Sequence, residues 1–343
     1  MSPSIRFPEF TGEWEKCKIE DITDAVSSGK SKNHFSNGEY NLYGSTGIIG
    51  RTDKALYDGK LVLVARVGAN AGFLQIINEP CGITDNTLIL KPKGIDAFYL
   101  YYFLQHFNLN RLIFGSGQPL ITGGMLKKVK VSLGTISEQS KIVKFLSLLD
   151  ERIATQVRLI DRLQSLMIGI AQKIAHSNKP NVRISDCLEC SSSALQESEV
   201  NKTGKYPVYG ANGIVGYIDK YHTQNEAIYI IKDGSGVGGV SYVTGKCSST
   251  GTLNILQAKN GHSLKYLYYL LKVFNFVPYK TGMAIPHIYF KDYGKAKIFC
   301  PAYPEQLEYA KLLSSIDGNL RIALDSLKNF NLQKQYLLRH MLI

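Results

Sequence analysis

The chain has 343 residues, 44% of them hydrophobic and 20% charged, enough apolar material for two or three globular domains. Its 40 Lys and Arg against 28 Asp and Glu leave a formal charge of +12, which favours an anionic partner, nucleic acid being the commonest. No run approaches the roughly 18 apolar residues of a membrane span, and Met1-Ser-Pro-Ser-Ile-Arg6 lacks the apolar core of a signal peptide, so a cytoplasmic protein is expected.

The opening, Arg6-Phe7-Pro8-Glu9-Phe10 and then Trp14, reads as an irregular arm laid onto a domain. Gly29-Lys30-Ser31 has the ending of a phosphate-binding loop, but Asp24 stands where that loop needs its first glycine, and a plain basic loop is expected. From Tyr40 the text is rich in glycine and β-formers: Tyr40-Asn-Leu-Tyr43-Gly44-Ser-Thr-Gly47-Ile-Ile-Gly50, then Leu61 to Gly72. Short strands joined by glycine turns follow from that composition. Ala97 to His106 predicts a helix, Gly115-Ser-Gly-Gln-Pro-Leu-Ile121 a loop, and Lys128 to Leu133 a strand.

A long amphipathic segment comes next, from Ser137 to His176. Its apolar positions recur at alternating steps of three and four through Leu146, Leu149, Ile153, Ile160, Leu163, Met167, Ile170 and Ile174, with Gln156 the one polar member. That is a coiled-coil seam. With no proline before Pro180, the helix would be a rod of about 60 Å. Cys187-x-x-Cys190 follows with half the spacing of a zinc site, but no second pair or nearby histidine completes it, so no metal is expected and the six cysteines read as reduced thiols.

The chain then repeats itself. An offset of 166 carries the first glycine run onto Tyr206-Pro-Val-Tyr209-Gly210-Ala-Asn-Gly213-Ile-Val-Gly216, Gly68 and Gly72 onto Gly234 and Gly238, and Cys81 onto Cys247. An offset of 167 carries Tyr99-Leu-Tyr-Tyr-Phe-Leu104 onto Tyr266-Leu-Tyr-Tyr-Leu-Leu271, and Gly115, Pro119 and Ile121 onto Gly282, Pro286 and Ile288. The same offset carries the seam onto Leu313, Ile316, Leu320, Ala323, Leu327, Phe330, Lys334, Leu337 and Met341. Lys334 interrupts this second seam and is expected to weaken its pairing with a copy of itself.

The fold class expected is α+β: two tandem, repeat-related, β-rich α/β domains separated by two long helices that pair as an antiparallel coiled coil about a pseudo-twofold axis. The expected boundaries are 1–135 for the first domain, 136–177 for the central helix, 178–302 for the second domain and 303–343 for the distal helix.

The histidines form no cluster with acids or cysteines at triad or ligand spacing, and no catalytic constellation emerges. Gly234-Ser-Gly-Val-Gly-Gly239 resembles a dinucleotide loop, but its counterpart Gly68-Ala-Asn-Ala-Gly72 keeps only the outer glycines, so turns between strands are expected. What remains is binding. Polar, basic, glycine-rich loops suit close approach to phosphates and to base edges. The candidates in the first domain are Lys30, Lys32, Asn33, His34, Ser45, Thr46, Arg51, Arg66, Asn70 and Gln118; those in the second are Lys202, Lys205, Asn212, Lys220, Lys232, Ser235, Lys280 and His287.

Taken together, the Phe7-Pro-Glu-Phe10…Trp14 opening, the Tyr-x-x-Tyr-Gly-x-x-Gly-x-x-Gly boxes from Tyr40 and Tyr206, the Gly-x-x-x-Pro-x-Ile loops from Gly115 and Gly282, and the pairs Glu138-Gln139 and Glu305-Gln306 resemble the specificity subunits of type I restriction–modification systems. The resemblance spans the whole chain. It implies two target-recognition domains that read the two parts of a split double-stranded DNA sequence, and paired helices that space them and dock two methyltransferase subunits, with restriction subunits joining that core. It implies no catalysis and no cofactor in this chain, S-adenosylmethionine, ATP and Mg being used by the partners. The other reading of the residues is a coiled-coil adaptor whose twin β-rich domains bind proteins or glycans. Steep salt dependence separates DNA binding from it.

Overall fold

The protein is described from a computed structural model that covers residues 3–32, 38–114 and 119–342. It divides into two compact units, Met1–Gln156 with Ser326–Ile343, and Val157–Asp325.

In the first unit β1 (Glu15–Lys18) pairs antiparallel with β9 (Lys130–Leu133). Between them in sequence lie two sheets. The larger is ordered β2 (Thr23–Ser28), β8 (Thr87–Pro92), β5 (Lys60–Ala65), β6 (Leu74–Asn78) and is antiparallel throughout. In the smaller, β3 (Tyr40–Gly44) lies between β4 (Gly47–Thr52) and β7 (Cys81–Ile83). The central strand β5 has no polar face because both of its faces are covered. Val62 and Val64 pack with Tyr99, Leu100 and Phe103 of helix α1 (Ala97–Phe107). Leu61 and Leu63 point the other way, into a second core with Cys81, Ile83 and Ile89. The period-two alternation of a strand sends neighbouring residues to opposite cores.

A short helix, α2 (Gly123–Lys127), precedes β9, and the chain then enters α3 (Ile136–His176), one helix of 41 residues. The second unit repeats the plan. Strand β10 (Val182–Arg183) pairs with β18 (Lys297–Ile298), and helix α4 (Ile184–Cys187) leads into β11 (Leu188–Ser192). The four-stranded sheet is β11, β17 (Leu253–Ala258), β14 (Glu226–Ile231), β15 (Val240–Thr244). The three-stranded sheet places β12 (Tyr206–Gly210) between β13 (Gly213–Ile218) and β16 (Ser248–Ser249). Helix α5 (Leu264–Val273) is the counterpart of α1, and α6 (Phe290–Tyr293) precedes the final helix α7 (Tyr303–Met341). Cys81 and Cys247 fill the same core position, each bridged across its backbone, to Tyr57 and Thr223 respectively. All six cysteines are free thiols.

The glutamine that opens each long helix ties that helix to its domain. Gln139 donates its amide to Gly134 O (3.0 Å) and accepts from Asp96 N (3.1 Å), joining the start of α3 to the N-terminus of α1. Gln306 does the same with Pro301 O (2.8 Å) and Ser263 N (2.9 Å), at the N-terminus of α5. Glu138 is fully buried and holds the opening arm: Arg6 donates to it twice, at 2.6 and 2.8 Å, and Trp14 Nε1 once, at 3.1 Å. The carboxylate's hydrogen bond in turn raises the Arg6 pKa. Removing a buried carboxylate strands its donors. Glu138→Ala is therefore expected to lower the melting temperature by on the order of 10 °C, and calorimetry on the full chain checks it; an unchanged transition would show that the arm is dispensable.

The first part of α3 and the end of α7 pack antiparallel within the first unit. Ile142 and Leu146 share a core with Leu338, Met341 and Leu342, and further along Asp150 meets Lys334 (2.6 Å) and Arg152 lies 5.7 Å from the Phe330 ring. The seam residues Leu149, Ile153 and Leu337 are buried or half-buried. In the second unit Ile160, Met167, Leu313, Ile316, Leu320 and Ala323 are buried, with Leu163, Ile170 and Asp317 half-buried; Leu327 and Phe330, in the first unit, are half-buried too.

Lys334 has a partner that its own seam does not show. It does not break the seam as a lone charge: its ammonium binds Asp150 Oδ1, lies 5.5 Å from the Tyr102 ring, and Tyr102 Oη donates to the other oxygen of Asp150 (2.8 Å). At the repeat-equivalent positions Met167 is buried and Asp317 turns to Arg321 one helical turn on (3.1 Å).

Candidate nucleic-acid interface

Each unit presents two loops on one repeated frame. In the first, the turn Gly68 to Gly72 connects β5 to β6, and the segment before α2 is fastened to it by Gly68 N to Pro119 O (3.0 Å) and Ile121 N to Arg66 O (2.9 Å). In the second, Gly234 N reaches Pro286 O (3.0 Å) and Ile288 N reaches Lys232 O (2.9 Å). Ile121 and Ile288 are both fully buried, so the isoleucine ending each Gly-x-x-x-Pro-x-Ile loop is an anchor. Gly72 and Gly238 must be glycine on two counts. Their φ values are +88° and +91°, and a Cβ would lie 3.3 Å from Leu109 Cβ and 3.1 Å from Phe276 Cβ.

Beside this clamp stands a hairpin. β3 and β4 are joined through Ser45-Thr46, β12 and β13 through Ala211-Asn212, each with a register shift just before its second tyrosine. Gln75 supports the first tip, donating to Gly44 O (2.9 Å) and Ser45 O (3.1 Å).

The frame carries different side chains in the two units. Val67 and Leu120 face each other across the first clamp, while their counterparts in the second are Asp233 and His287. Asp233 accepts from His287 Nδ1 (2.7 Å) and Lys232 Nζ (2.6 Å). Burial opposes ionisation of Asp233, but the bonds from His287 and Lys232 outweigh it and hold the carboxyl below its ordinary value. His287 is also stacked near Tyr289, and the loop tip exposes Met283 and Ile285.

The candidates therefore fall into clusters. Arg66 and Asn70 lie at the first clamp, where Arg66 Nε is buried without a hydrogen-bond partner. Lys232, Ser235, Lys280 and His287 gather at the second, on the turn and on the loop facing it. Ser45, Thr46 and Arg51 ride on the first hairpin, Arg51 bonding Gly38 O and Glu39 O at 3.4 Å each. Asn212 sits at the second hairpin tip; Lys202 and Lys205 precede that hairpin and Lys220 follows it, all four exposed, with Lys205 Nζ 5.5 Å from the Tyr206 ring. Lys30 and Lys32 line a cleft of about 440 Å³ with Lys54, a residue the sequence reading passed over because it stands outside the repeated motifs. Asp233 was also missed, although comparing the repeats exposes it: an apolar pair in one half is an ionisable pair in the other. Asn33, His34 and Gln118 lie outside the described residues.

Two repeat-built, β-rich domains, each displaying a clamped loop pair and a hairpin, and strung on long seamed helices, make this a duplicated loop-presenting protein. The chain belongs to the family of the type I restriction modification DNA specificity domain, whose model matches residues 11–165 and again 177–329. It is 25% identical over 123 residues to a putative type I restriction enzyme specificity subunit of Haemophilus influenzae, covering 35% of this chain and 32% of that one. To the EcoprrI specificity subunit of Escherichia coli it is 26% identical over 127 residues, covering 37% and 31%. These alignments span about a third of the length of each curated relative. The crystal structure of the type I restriction–modification S subunit from M. genitalium matches 100% of this chain and 99% of its own with a TM-score of 0.75 at 19% identity. A structure described as explaining complex assembly and conformational transition of the type I system matches 96% and 97% with a TM-score of 0.56 at 13% identity. At such identities the likeness is one of fold. Among the described residues no helix is long and apolar enough to cross a membrane.

Proposed function

We propose that this chain is the DNA-binding specificity subunit of a type I restriction–modification complex: each domain reads one part of a bipartite double-stranded target, and the helices dock two methyltransferase subunits and, through them, restriction subunits. The observation that carries the reading is the pair of identically clamped loops dressed with different side chains, in a chain of formal charge +12. A repeated backbone clamp would fix where a loop sits on a duplex while its side chains decide which base edges it accepts.

Docking is supported by the helices. Phe145 and Leu148 on α3 are exposed, and a groove of about 650 Å³ runs beside them, lined also by Arg152, Phe330 and Leu337. Apolar surface of this kind calls for a protein partner. Methyl transfer and strand cleavage, with S-adenosylmethionine, ATP and Mg, belong to those partners in this reading, and the complex works in the cytoplasm.

The test is binding and methylation with and without methyltransferase subunits. The chain alone is expected to bind DNA weakly and to transfer no methyl group; the complex is expected to bind a specific duplex tightly and methylate it. Affinity should fall by roughly a thousandfold or more between 50 and 200 mM salt. Binding indifferent to salt, or methylation by the chain alone, would overturn the proposal.

A further inference from the structure

In the second unit three side chains of metal-ligand type come together from distant parts of the sequence. Cys187 closes α4, His262 lies in the turn before α5, and Cys300 lies between β18 and α7. Their donor atoms all lie within 4.8 Å of one another. Cys190, the sequence neighbour that suggested a zinc half-site, takes no part: its Sγ turns to Ser191 O (3.8 Å).

Three observations set the cluster apart from a chance meeting of thiols. The first is that His262 Nδ1 is buried and has no hydrogen-bond partner. An imidazole nitrogen taken out of water and left unbonded is costly, and a cation at that point would satisfy it.

The second is that the backbone holds all three residues in place. Lys259 N donates to Cys187 O (2.9 Å), and His262 N to Lys259 O (3.1 Å), which ties the turn to the end of α4. Asn181 grips Cys300 from both sides, its Nδ2 donating to Cys300 O and its Oδ1 accepting from Cys300 N, each at 2.8 Å.

The third observation comes from the repeat. The short helix Ile184–Cys187 matches the helical turn Ile19–Ile22, so Cys187 stands where the first unit has Ile22. His262 follows Gly261 and precedes the N-cap Ser263 as Ile95 follows Gly94 and precedes the N-cap Asp96, the two glycines having φ of +83° and +67°. Cys300 precedes Pro301, whose carbonyl Gln306 binds, as Leu133 precedes Gly134, bound by Gln139. Ile22, Ile95 and Leu133 all belong to the apolar core of the first unit or pack against it. The frame thus has an all-apolar solution at this point, and the second unit has exchanged all three members for two thiols and an imidazole.

We infer that Cys187, His262 and Cys300 form a three-residue site for a thiophilic, tetrahedral divalent cation of the zinc class. Tetrahedral bonds of about 2.3 Å to sulfur and 2.0 Å to nitrogen separate donor atoms by less than 4 Å, so small side-chain rotations close the cluster onto a metal. Both thiols would ionise, their protons leaving to solvent, and the fourth position would go to water. The site would staple the start of β11, the entry to α5 and the approach to α7, all within the second unit.

The experiment uses the reduced, chelator-treated full chain and cobalt(II) as the probe. About one cobalt per chain is expected, with the thiolate charge-transfer and intense visible bands of a tetrahedral sulfur-ligated ion, displaced by zinc. Cys187→Ile with Cys300→Leu, which installs the residues of the first unit and should fold as that unit does, is expected to abolish the signal while keeping the far-ultraviolet circular dichroism. His262→Ile should weaken binding at least tenfold and leave both thiols titratable. No uptake by the reduced chain would overturn the inference, as would uptake untouched by His262→Ile. A Cys187–Cys300 disulfide forming on oxidation in a chain that takes up no cobalt when reduced would identify a thiol pair only.

Discussion

Exchanging residues 20–130 for the matching segment of another family member is expected to replace one half of the recognised DNA sequence and leave the other half and the unread gap as they were. The cut respects the structure. Strands β1 and β9, which pair with each other, bracket the exchanged piece, and the Arg6, Trp14 and Glu138 contacts stay with the recipient. At the start of α3 the contact across the junction is to backbone: Gln139 binds the Asp96 amide, a group the incoming sequence supplies, and the Gly134 carbonyl, which stays with the recipient. Methylome sequencing in cells that carry the methyltransferase reads the outcome. Alteration of both halves would show that the domains do not read independently, and loss of all methylation in a folded chimera would show that the exchanged segment does more than read.

The second large effect is expected at the pairing of Lys334 with Asp150. The side chains are 17% and 35% exposed, intermediate between a surface pair and a buried one. Lys334→Ala should therefore cost roughly 2 kcal/mol, between the values for those extremes. Lys334→Glu should cost more, because it sets two carboxylates together while Tyr102 can donate to only one of them. A fall in melting temperature of about 5 °C or more is expected for Lys334→Glu, and the double reversal Asp150→Lys with Lys334→Glu should recover most of it. If the double variant is no more stable than the sum of its singles predicts, the pair does not act as an ion pair and the cost lies in packing.

Much of the architecture was legible because it is written twice. Tyr40-x-x-Tyr-Gly and Tyr206-x-x-Tyr-Gly announce the same hairpin, and the apolar spacing from Leu146 and from Leu313 announces the same helix. What could not be read were the long-range pairings. Lys334 looked like a flaw in its seam because its acid is 184 positions away. That acid, moreover, has a repeat counterpart in Asp317, which within this chain binds Arg321. His262 looked unattached for the same reason, since spacing along the chain says nothing about which turns meet. The candidate contacts were legible only as composition. Sequence shows that loops are polar and basic, whereas the cleft that gathers Lys30, Lys32 and Lys54 is a product of the folded sheet.

The clamp on each loop is made of backbone groups: a glycine amide to a proline carbonyl, and an isoleucine amide to the carbonyl of a basic residue. Such a frame asks almost nothing of the side chains it displays. Within one chain it already carries a valine facing a leucine in one copy and an aspartate facing a histidine in the other, with matching bond lengths underneath. New preferences can therefore accumulate on the tips by single substitutions without a matching loss of stability. The molecule's capacity to diversify resides in the part of the loop that is the same in both copies.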